Sequence, residues 1–586
     1  MTAPAPPRPG PAAPPPDATE RARRLEELLG DPAEPDNPHG LRALLAADER
    51  GAAPEATERL LAEARLTAEF VPRELGGLLG RPDELAQVLR PLFRRDVALG
   101  FGFGLIALFG ASAVWAAGND EQQARTAREL LAGTGGRVTH LHHELTHANA
   151  ILRDEFTARR TKDAFRVDGR KDVIINAARA GLFVMYARTD AGAGPRSHSV
   201  LLLDRERLPS HAVRDLPRVP TPGMRGNHFS GLEFRSCPVP AHALVGEPGD
   251  GVSLALRTFM VNRCLIPAAL VAGVDSALRL AVRAATAGRS DKRPVRRHHT
   301  ALAGVFADLL ACDSMARTGL RALSLVPDSA HLAAAAVKLT TQDVLRENLD
   351  EIATVLGAHG YDHDSHYGAF GKLGRDLPVA GLGHAGRAAC QAVLVPQLRS
   401  LARTSWFTAP EPPAALLDPS AVLPDLDYRA LSLSGGHDVL HAALLRTADR
   451  LIARRSTDPE RVALARLAEA FVKESRTLRA ECATLPASVQ ETLADPRACA
   501  LVDRYVLIAG AAACLGAWEA HADTDTTGSF LARPAWPVLA LSRILRRLGT
   551  PGPTVPDGVT GRVLDELLDR YAHHRSLDLH DTPLAG

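Results

Sequence analysis

Histidine and glutamate residues between positions 140 and 147 have the spacing of a metal-binding motif. His143-Glu-Leu-Thr-His147 matches H-E-x-x-H, and on a helix this spacing puts two imidazoles on one face for zinc and leaves the glutamate as a base. Zinc needs a third protein ligand, and no second segment of the sequence offers one at a recognisable spacing. The chain contains 22 histidines, so we interpret the motif as chance enrichment and predict no metal site.

A second candidate for acid–base chemistry is His384, in a glycine-rich segment that follows Gly357-Ala-His-Gly-Tyr361 and Arg375-Asp376. A histidine can serve as a general base near neutral pH. The stretch from residue 357 to residue 390 resembles the C-terminal catalytic segment of acyl-CoA dehydrogenases and oxidases. In that family Gly-Gly-x-Gly-Tyr and Arg-Asp precede a Glu-Gly-Thr-like triplet with the catalytic carboxylate. The resemblance implies that His384 stands where the family has that carboxylate.

Four further blocks, in the order found in the family, carry the same resemblance. They are Phe70-Val-Pro-Arg-Glu-Leu-Gly-Gly77, Asp168-Gly-Arg-Lys-Asp-Val-Ile-Ile-Asn-Ala177, Thr221-Pro-Gly-Met-Arg-Gly226 with Phe234 to Gly246, and Gly288-Arg-Ser-Asp-Lys-Arg-Pro-Val295. Each block is weak alone. Together, over about residues 60 to 400, they indicate the fold of this family.

The family's reaction removes an α-proton with a carboxylate while a hydride leaves the β-carbon for flavin N5, so it needs a base beside the flavin. In a minority of relatives the base precedes the Arg of a Glu-Arg pair, which here reads Asn262-Arg263. Both known positions therefore lack a carboxylate. His384 is the predicted catalytic residue, and the alternative is that residues 383–386 form a loop without a catalytic role.

The resemblance also assigns the flavin-binding positions. They fall on His143, Glu144, Asn176, Arg289, His299, Gly357 and Gly360. Other contact positions depart from the family: Val173 replaces a Trp that shields the ring, and Ile175 replaces a Thr that faces it. Ala358 and Gly386 replace a Gly and a Thr. FAD is the predicted cofactor, and a flavin-free scaffold of the same shape is the alternative.

These residues predict a flavoprotein similar to acyl-CoA dehydrogenases and oxidases, which oxidises an acyl thioester on CoA or a carrier protein. The first alternative is a non-redox relative that binds or transforms an acyl thioester without FAD. The second alternative is a flavin-dependent monooxygenase, because this activity shares the fold and does not always need the carboxylate. Homo-oligomerisation is implied by the resemblance, since FAD commonly lies across a subunit interface in this family.

The composition of the chain bears on its binding partners and its cellular location. The 586 residues are 46% hydrophobic and carry a net charge of +1, which gives no case for nucleic-acid or membrane-surface binding. The seven cysteines are scattered, as expected in a reducing cytosol. The Pro/Ala-rich start lacks the apolar region of a signal peptide. Val97 to Ala117 is apolar enough to suggest a membrane span, but its flanks favour a buried core helix. We predict a cytoplasmic protein without a membrane span.

Hydrophobic periodicity predicts an α+β chain that is mostly α. We expect a disordered tail at 1–19, an N-terminal helical domain at 20–135 and a β-barrel domain at 136–247. A C-terminal four-helix bundle is expected at 248–403 and an additional C-terminal helical domain at 404–586. Acyl-CoA oxidases and very-long-chain dehydrogenases also have such an appended helical domain.

Overall fold

The computed structural model describes residues 17–147, 151–192, 194–382, 386–524 and 528–586. Helices occupy the first part of the chain, strands the middle, and helices the remainder. This order confirms the predicted mostly helical α+β class with a central sheet. The predicted disordered tail falls largely on residues 1–16, which lie outside the described residues, and the domain boundaries stay predictions.

Nineteen helices are described in these ranges. They are α1 (Ala18–Leu29), α2 (Leu41–Glu49), α3 (Glu55–Glu63), α4 (Pro82–Arg95), α5 (Val97–Leu99), α6 (Ile106–Ala117), α7 (Asp120–Leu131), α8 (Gly251–Thr286), α9 (Arg296–Leu325), α10 (Ala330–Leu356), α11 (Gly368–Leu382), α12 (Arg387–Leu394), α13 (Leu398–Thr404), α14 (Val439–Ala453), α15 (Pro459–Ala483), α16 (Val489–Ala494), α17 (Pro496–Thr524), α18 (Ala535–Arg547) and α19 (Val559–Ala572). Side-chain caps fix several starts. The Asp17 carboxylate accepts from the Glu20 N–H, and Asn119 and Gln122 form a reciprocal capping box at α7.

The described strands form one eight-stranded sheet. They are β1 (Val138–Leu141), β2 (Thr157–Arg160), β3 (Ala164–Ile175), β4 (Leu182–Arg188), β5 (His198–Asp204), β6 (Val213–Leu216), β7 (Phe229–Pro240) and β8 (Leu244–Val245). The strand order is β6-β7-β3-β2-β4-β5-β8, and β1 pairs with β4 in parallel. The long antiparallel pair β3 and β7 starts at Ala164 opposite Pro240 and has two register shifts.

The apolar stretch from Val97 to Ala117 comprises α5, a π-helical turn at Gly100–Leu105 and α6. The most apolar 18 residues of this stretch are all buried inside the protein. Gly251–Thr286 and Pro496–Thr524 are also long and apolar enough to cross a membrane. In the most apolar 18 residues of these helices, 89% and 72% of the residues are buried inside the protein. Packing inside the protein therefore accounts for the hydropathy of all three helices.

A buried ionic network joins α4 to the end of the chain. Arg90 Nη1 lies 2.6 Å from Asp578 Oδ2, and Arg94 Nη2 lies 3.1 Å from the same oxygen. Arg90 also pairs with Asp313 of α9, and Arg94 Nε lies 3.3 Å from Asp275 of α8. All five side chains are buried. The two arginines of α4 thus hold α8, α9 and the C-terminal tail together.

A second network joins the appended helices to the bundle. Arg543 and Arg547 of α18 both donate to the buried carboxylate of Asp308 on α9, with Arg543 Nε at 2.9 Å and Arg547 Nη1 at 3.0 Å. Arg547 Nε also donates to Glu347 of α10 at 2.7 Å. These bonds fix α18 against two helices of the bundle.

Two buried lysines differ in their partners. Lys372 of α11 donates to Asp96 at 2.8 Å and to Asp376, and these carboxylates raise its pKa although burial acts to lower it. Lys338 of α10 is 1% exposed, and its Nζ has no hydrogen-bond partner among the residues that the structure describes. Burial lowers the pKa of Lys338 from 10.5 to about 7. Lys338 is therefore a source of instability in the bundle, because a buried polar group without a partner is costly.

Lys338→Met is expected to raise the free energy of unfolding at neutral pH by about 1–3 kcal/mol. Between about pH 7 and 10.5 the unfolded chain binds the lysine proton and the folded chain does not. The stability of the parent protein therefore rises with pH in this window, and the advantage of the variant should shrink. Urea unfolding at about pH 7 and pH 10 measures both effects.

Lys372→Met is the matched control for this measurement, because it removes a buried lysine that has two acidic partners. It is expected to lower stability by about 3–5 kcal/mol. A Lys338→Met protein less stable than the parent at pH 7 would contradict the prediction.

Candidate functional site

The Arg375-Asp376 element lies on α11 and binds two other parts of the chain. Asp376 accepts from the backbone N–H of Met224 and pairs with Lys372. Arg375 Nη2 donates to Asp48 of α2 at 2.5 Å. The element therefore fixes α11 between the loop after β6 and the N-terminal helices.

Neither predicted base position offers a carboxylate in the described residues. His384 lies outside them, between the end of α11 at Leu382 and the start of α12 at Arg387, and its catalytic role stays a prediction. Asn262 lies within α8 and is buried, and its Oδ1 has no hydrogen-bond partner. A carboxamide does not titrate near neutral pH, so Asn262 cannot replace a carboxylate as a base.

Glu144 is a structural anion rather than a free group. Its carboxylate accepts from Lys171 Nζ at 2.9 Å and from the backbone N–H groups of Glu155 and Phe156 at 2.9 and 3.0 Å. Lys171 is fully buried in β3 and also donates to Asp154 at 2.8 Å. Burial alone would raise the pKa of Glu144, but Lys171 and the two backbone donors lower it. Burial raises the pKa of Asp154 to about 6 against the pull of Lys171.

The segment with H-E-x-x-H spacing is not helical. β1 ends at Leu141, and residues 145–147 form a turn. In the part of the chain that the structure describes, no three His, Cys, Asp or Glu side chains come together as a metal site would require. The spacing therefore lacks the helix that would put both imidazoles on one face.

Two histidines at the end of β1 are buried among aromatic rings. The ring of His142 lies 5.7 Å from Tyr186 and 5.5 Å from Phe259, centroid to centroid. Burial lowers the pKa of His140 to about 3 and that of His142 well below its ordinary value. Both imidazoles are therefore neutral near neutral pH and belong to the packing between sheet and α8.

Asn176 joins the sheet to the buried π-helical turn. Its backbone adopts a left-handed conformation with φ +63°, and its Nδ2 donates to the Gly102 carbonyl at 2.6 Å. The neighbouring Val173 and Ile175 are partly buried and pack against the main hydrophobic core. The side chains at these three positions of the sheet therefore contact other residues of the protein.

The other predicted cofactor residues lie at the ends of bundle helices. Arg289, between α8 and α9, donates to the Arg293 carbonyl and pairs with Asp291. The His299 Nε2 lies 3.0 Å from the Pro294 carbonyl. Gly357 and Gly360 follow α10 in a 3₁₀ turn, where Gly357 has φ +52°.

Glu144, Asn176, Arg289 and His299 thus use polar side-chain atoms within the chain. These bonds leave further donors and acceptors on Asn176 and Arg289, because a carboxamide has two N–H donors and one acceptor and a guanidinium has five donors. The seven residues remain predicted contacts.

A cavity of about 500 Å³ lies elsewhere, among α4, α8, α11 and α19. Its walls include Phe93, Ala277, Leu280 and Leu373, and residues 584–586 close one side. The exposed Arg283 and Lys292 also line it. Buried charged side chains of both signs also line it, among them Glu26, Arg95, Asp96 and Lys372, so the cavity combines apolar walls with charged groups. No sequence motif indicates this cavity, because its walls come from elements as far apart as α4 and the C-terminus.

The chain was compared with known proteins. Residues 249–391 match the family model described as acyl-CoA dehydrogenase, C-terminal domain. Cyclohex-1-ene-1-carbonyl-CoA dehydrogenase of Geobacter metallireducens is 27% identical over 323 residues, which cover 54% of this chain and 83% of that protein.

Two solved structures share the fold at low identity. The crystal structure of an acyl-CoA dehydrogenase complexed with FAD from Bacillus anthracis has a TM-score of 0.70 and 14% identity, and the match covers 95% of this chain and 94% of that one. A prolyl acyl carrier protein oxidase has a TM-score of 0.54 and 17% identity, covering 64% and 97%.

The order of helices, sheet and helices defines the acyl-CoA dehydrogenase class of fold. Residues 249–391 are thus similar to the C-terminal domain of acyl-CoA dehydrogenases, and about half of the chain is similar to a CoA-thioester dehydrogenase.

Lys171→Met is expected to lower the free energy of unfolding by about 3–5 kcal/mol, because it leaves Glu144 and Asp154 buried without their cation. Thermal or urea unfolding measures the loss. Lys162→Met, an exposed lysine in the turn between β2 and β3, is the control and should change stability little. Equal stability of the two variants would show that the ion pairs of Lys171 with Glu144 and Asp154 do not stabilise the protein.

Proposed function

We propose that the protein binds an acyl thioester, carried on CoA or a carrier protein, and oxidises it in a FAD-dependent reaction. The names of the relatives support this proposal, since one is a CoA-thioester dehydrogenase and another acts on a carrier protein. His384 stays the proposed base for the α-proton. We also propose a cytoplasmic homo-oligomer, on the family resemblance and the scattered free cysteines.

The cavity among α4, α8, α11 and α19 is the observation that carries the binding part of the proposal. A concave, mostly apolar site with a few polar groups is typical of small-molecule binding. Its walls suit an acyl chain, and Arg283 and Lys292 at its edge suit the phosphates of CoA or of a phosphopantetheine arm. We therefore assign acyl-thioester binding to this cavity. Asn262 and the seven predicted flavin residues are not among its lining residues, so the cavity supports the binding step and not the oxidation step.

A second candidate is a non-redox member of the family that binds or transforms an acyl thioester without FAD. The engaged side chains of Glu144, Asn176 and Arg289 favour it, because they serve the protein's own packing. The apolar Val173 and Ile175 point the same way, since they offer no polar atom to a flavin ring. Both candidates share acyl-thioester binding and differ in the cofactor.

Ala277→Trp is expected to fill the cavity and weaken acyl-CoA binding about tenfold or more. Ala277 is buried on α8 and lines the cavity. Isothermal titration of the purified protein with acyl-CoA of several chain lengths measures the loss. Ala287→Trp, at an exposed position just after α8, is the matched control. Unchanged binding by a folded Ala277→Trp variant would show that the acyl group binds elsewhere.

The visible absorption spectrum of the freshly purified protein separates the two candidates. The oxidative proposal predicts flavin absorbance in stoichiometric amount, or a higher melting temperature when FAD is added. His384→Ala should then abolish turnover and leave the flavin bound. Absence of flavin together with no thermal shift on adding FAD would reject the oxidative version and leave the non-redox candidate.

A further inference from the structure

A positively charged cleft lies where the predicted four-helix bundle meets the predicted additional helical domain, away from the positions that the family resemblance assigns. It lies between α13 and α15 and has a volume of about 560 Å³. Its charged walls are Arg403, Arg476 and Arg479, with Phe407 among them. The remaining lining residues are alanines. The cleft therefore presents guanidinium groups with little competing polar surface.

The arginines are held in place by an aromatic ring and a carbonyl. The guanidinium carbons of Arg476 and Arg479 lie 5.9 and 5.6 Å from the centroid of the Phe407 ring, within cation–π range. Arg479 Nε also donates to the Ala402 carbonyl at 2.9 Å. Ordering a long side chain before binding reduces the entropy lost on binding. The cleft is thus partly preorganised.

Their positive charge is not neutralised by the chain itself. Across the described ranges, none of Arg403, Arg476 and Arg479 forms an ion pair with an acidic side chain. The nearby buried Asp438 is already used, because it accepts from Trp406 Nε1 at 2.8 Å and caps α14 through the His441 N–H. The cleft consequently favours an anion.

The backbone at Phe407 is also unusual. Phe407 has φ +67°, a left-handed conformation that an aromatic residue rarely adopts. Below its ring lies His441, with ring centroids 4.8 Å apart and neither ring nitrogen hydrogen-bonded. Strained residues of this kind persist where the surrounding structure holds them, and they concentrate at ligand sites. Here the residue in this conformation carries the ring that both arginines contact.

We propose that this cleft binds a phosphate ester. The planar guanidinium fork matches the oxygens of phosphate, and three arginines offer more donors than a single carboxylate can accept. The phosphate ester could belong to a soluble molecule or to a phospholipid headgroup, which share this chemistry. This cleft shares no lining residue with the cavity assigned to the acyl thioester.

Isothermal titration with glycerol 3-phosphate, a soluble phosphate ester, at constant ionic strength tests the soluble source. Sedimentation with vesicles of phosphatidic acid, against phosphatidylcholine, tests the lipid source. The variants are Arg476→Gln and Arg403→Gln, with circular dichroism and thermal unfolding to confirm folding. Arg461→Gln is the matched control, since Arg461 also lies on α15 and stacks on an aromatic ring, Trp518, outside the cleft.

At least one probe is expected to bind the parent protein and the Arg461→Gln control. Binding should fall about tenfold or more in both cleft variants. Loss of glycerol 3-phosphate binding in the variants assigns a soluble phosphate ester, and loss confined to phosphatidic acid vesicles assigns a lipid headgroup. The proposal is overturned if the folded parent protein binds neither probe, or if the cleft variants bind as well as the control.

Discussion

The pairing of Arg90 and Arg94 with Asp578 is the constraint on which much of this structure depends. Moving such charges out of water is costly, so each must find a partner in the interior. Burial opposes ionisation of Asp578, but the two arginines hold its pKa well below the ordinary value. The backbone N–H groups of Leu577 and Leu579 add bonds to Asp275 and Asp313 at 2.9 Å each. The last residues of the chain are thereby fixed against α8 and α9.

This arrangement also forms the apolar cavity. Arg94 lines the cavity directly, and the residues that follow Asp578 close one of its sides. α19 and the C-terminal tail belong to the predicted additional helical domain, and α8 lies in the stretch that matches the family model. The appended region therefore builds part of the proposed binding site.

Residues at the predicted flavin positions, and one close to them in sequence, bind other parts of the chain. Lys171 binds the segment after β1 through Glu144, and Asn176 binds the sheet to the π-helical turn. A buried polar group needs a partner, and here the chain supplies it. These contacts give the sheet and the helices a fixed relation whether or not a cofactor is present.

Much of the fold could be predicted from the sequence, because periodic helices and short β-rich runs are local signals. The helical pattern of 120–131 and the apolar run of 182–187 correspond closely to α7 and β4. The parallel pairing of β1 with β4 and the π-helical turn carried no such signal, since they depend on tertiary contacts.

The candidate site could also be predicted only in part. Motif spacing identifies Glu144 and Arg289, but only the structure shows that Glu144 binds Lys171 and that Arg289 binds the Arg293 carbonyl. Arg403 and Arg476 are similarly ordinary in sequence and meet only in the folded chain.

The central claim is that the arginines of α4 and Asp578 stabilise the fold as a coupled unit. A double-mutant cycle with Arg94→Met and Asp578→Asn, followed by urea unfolding, measures that coupling directly. The structure predicts a coupling free energy of about 1–3 kcal/mol, with the double variant less destabilised than the sum of the single variants. Additive losses, with a coupling indistinguishable from zero, would contradict the account.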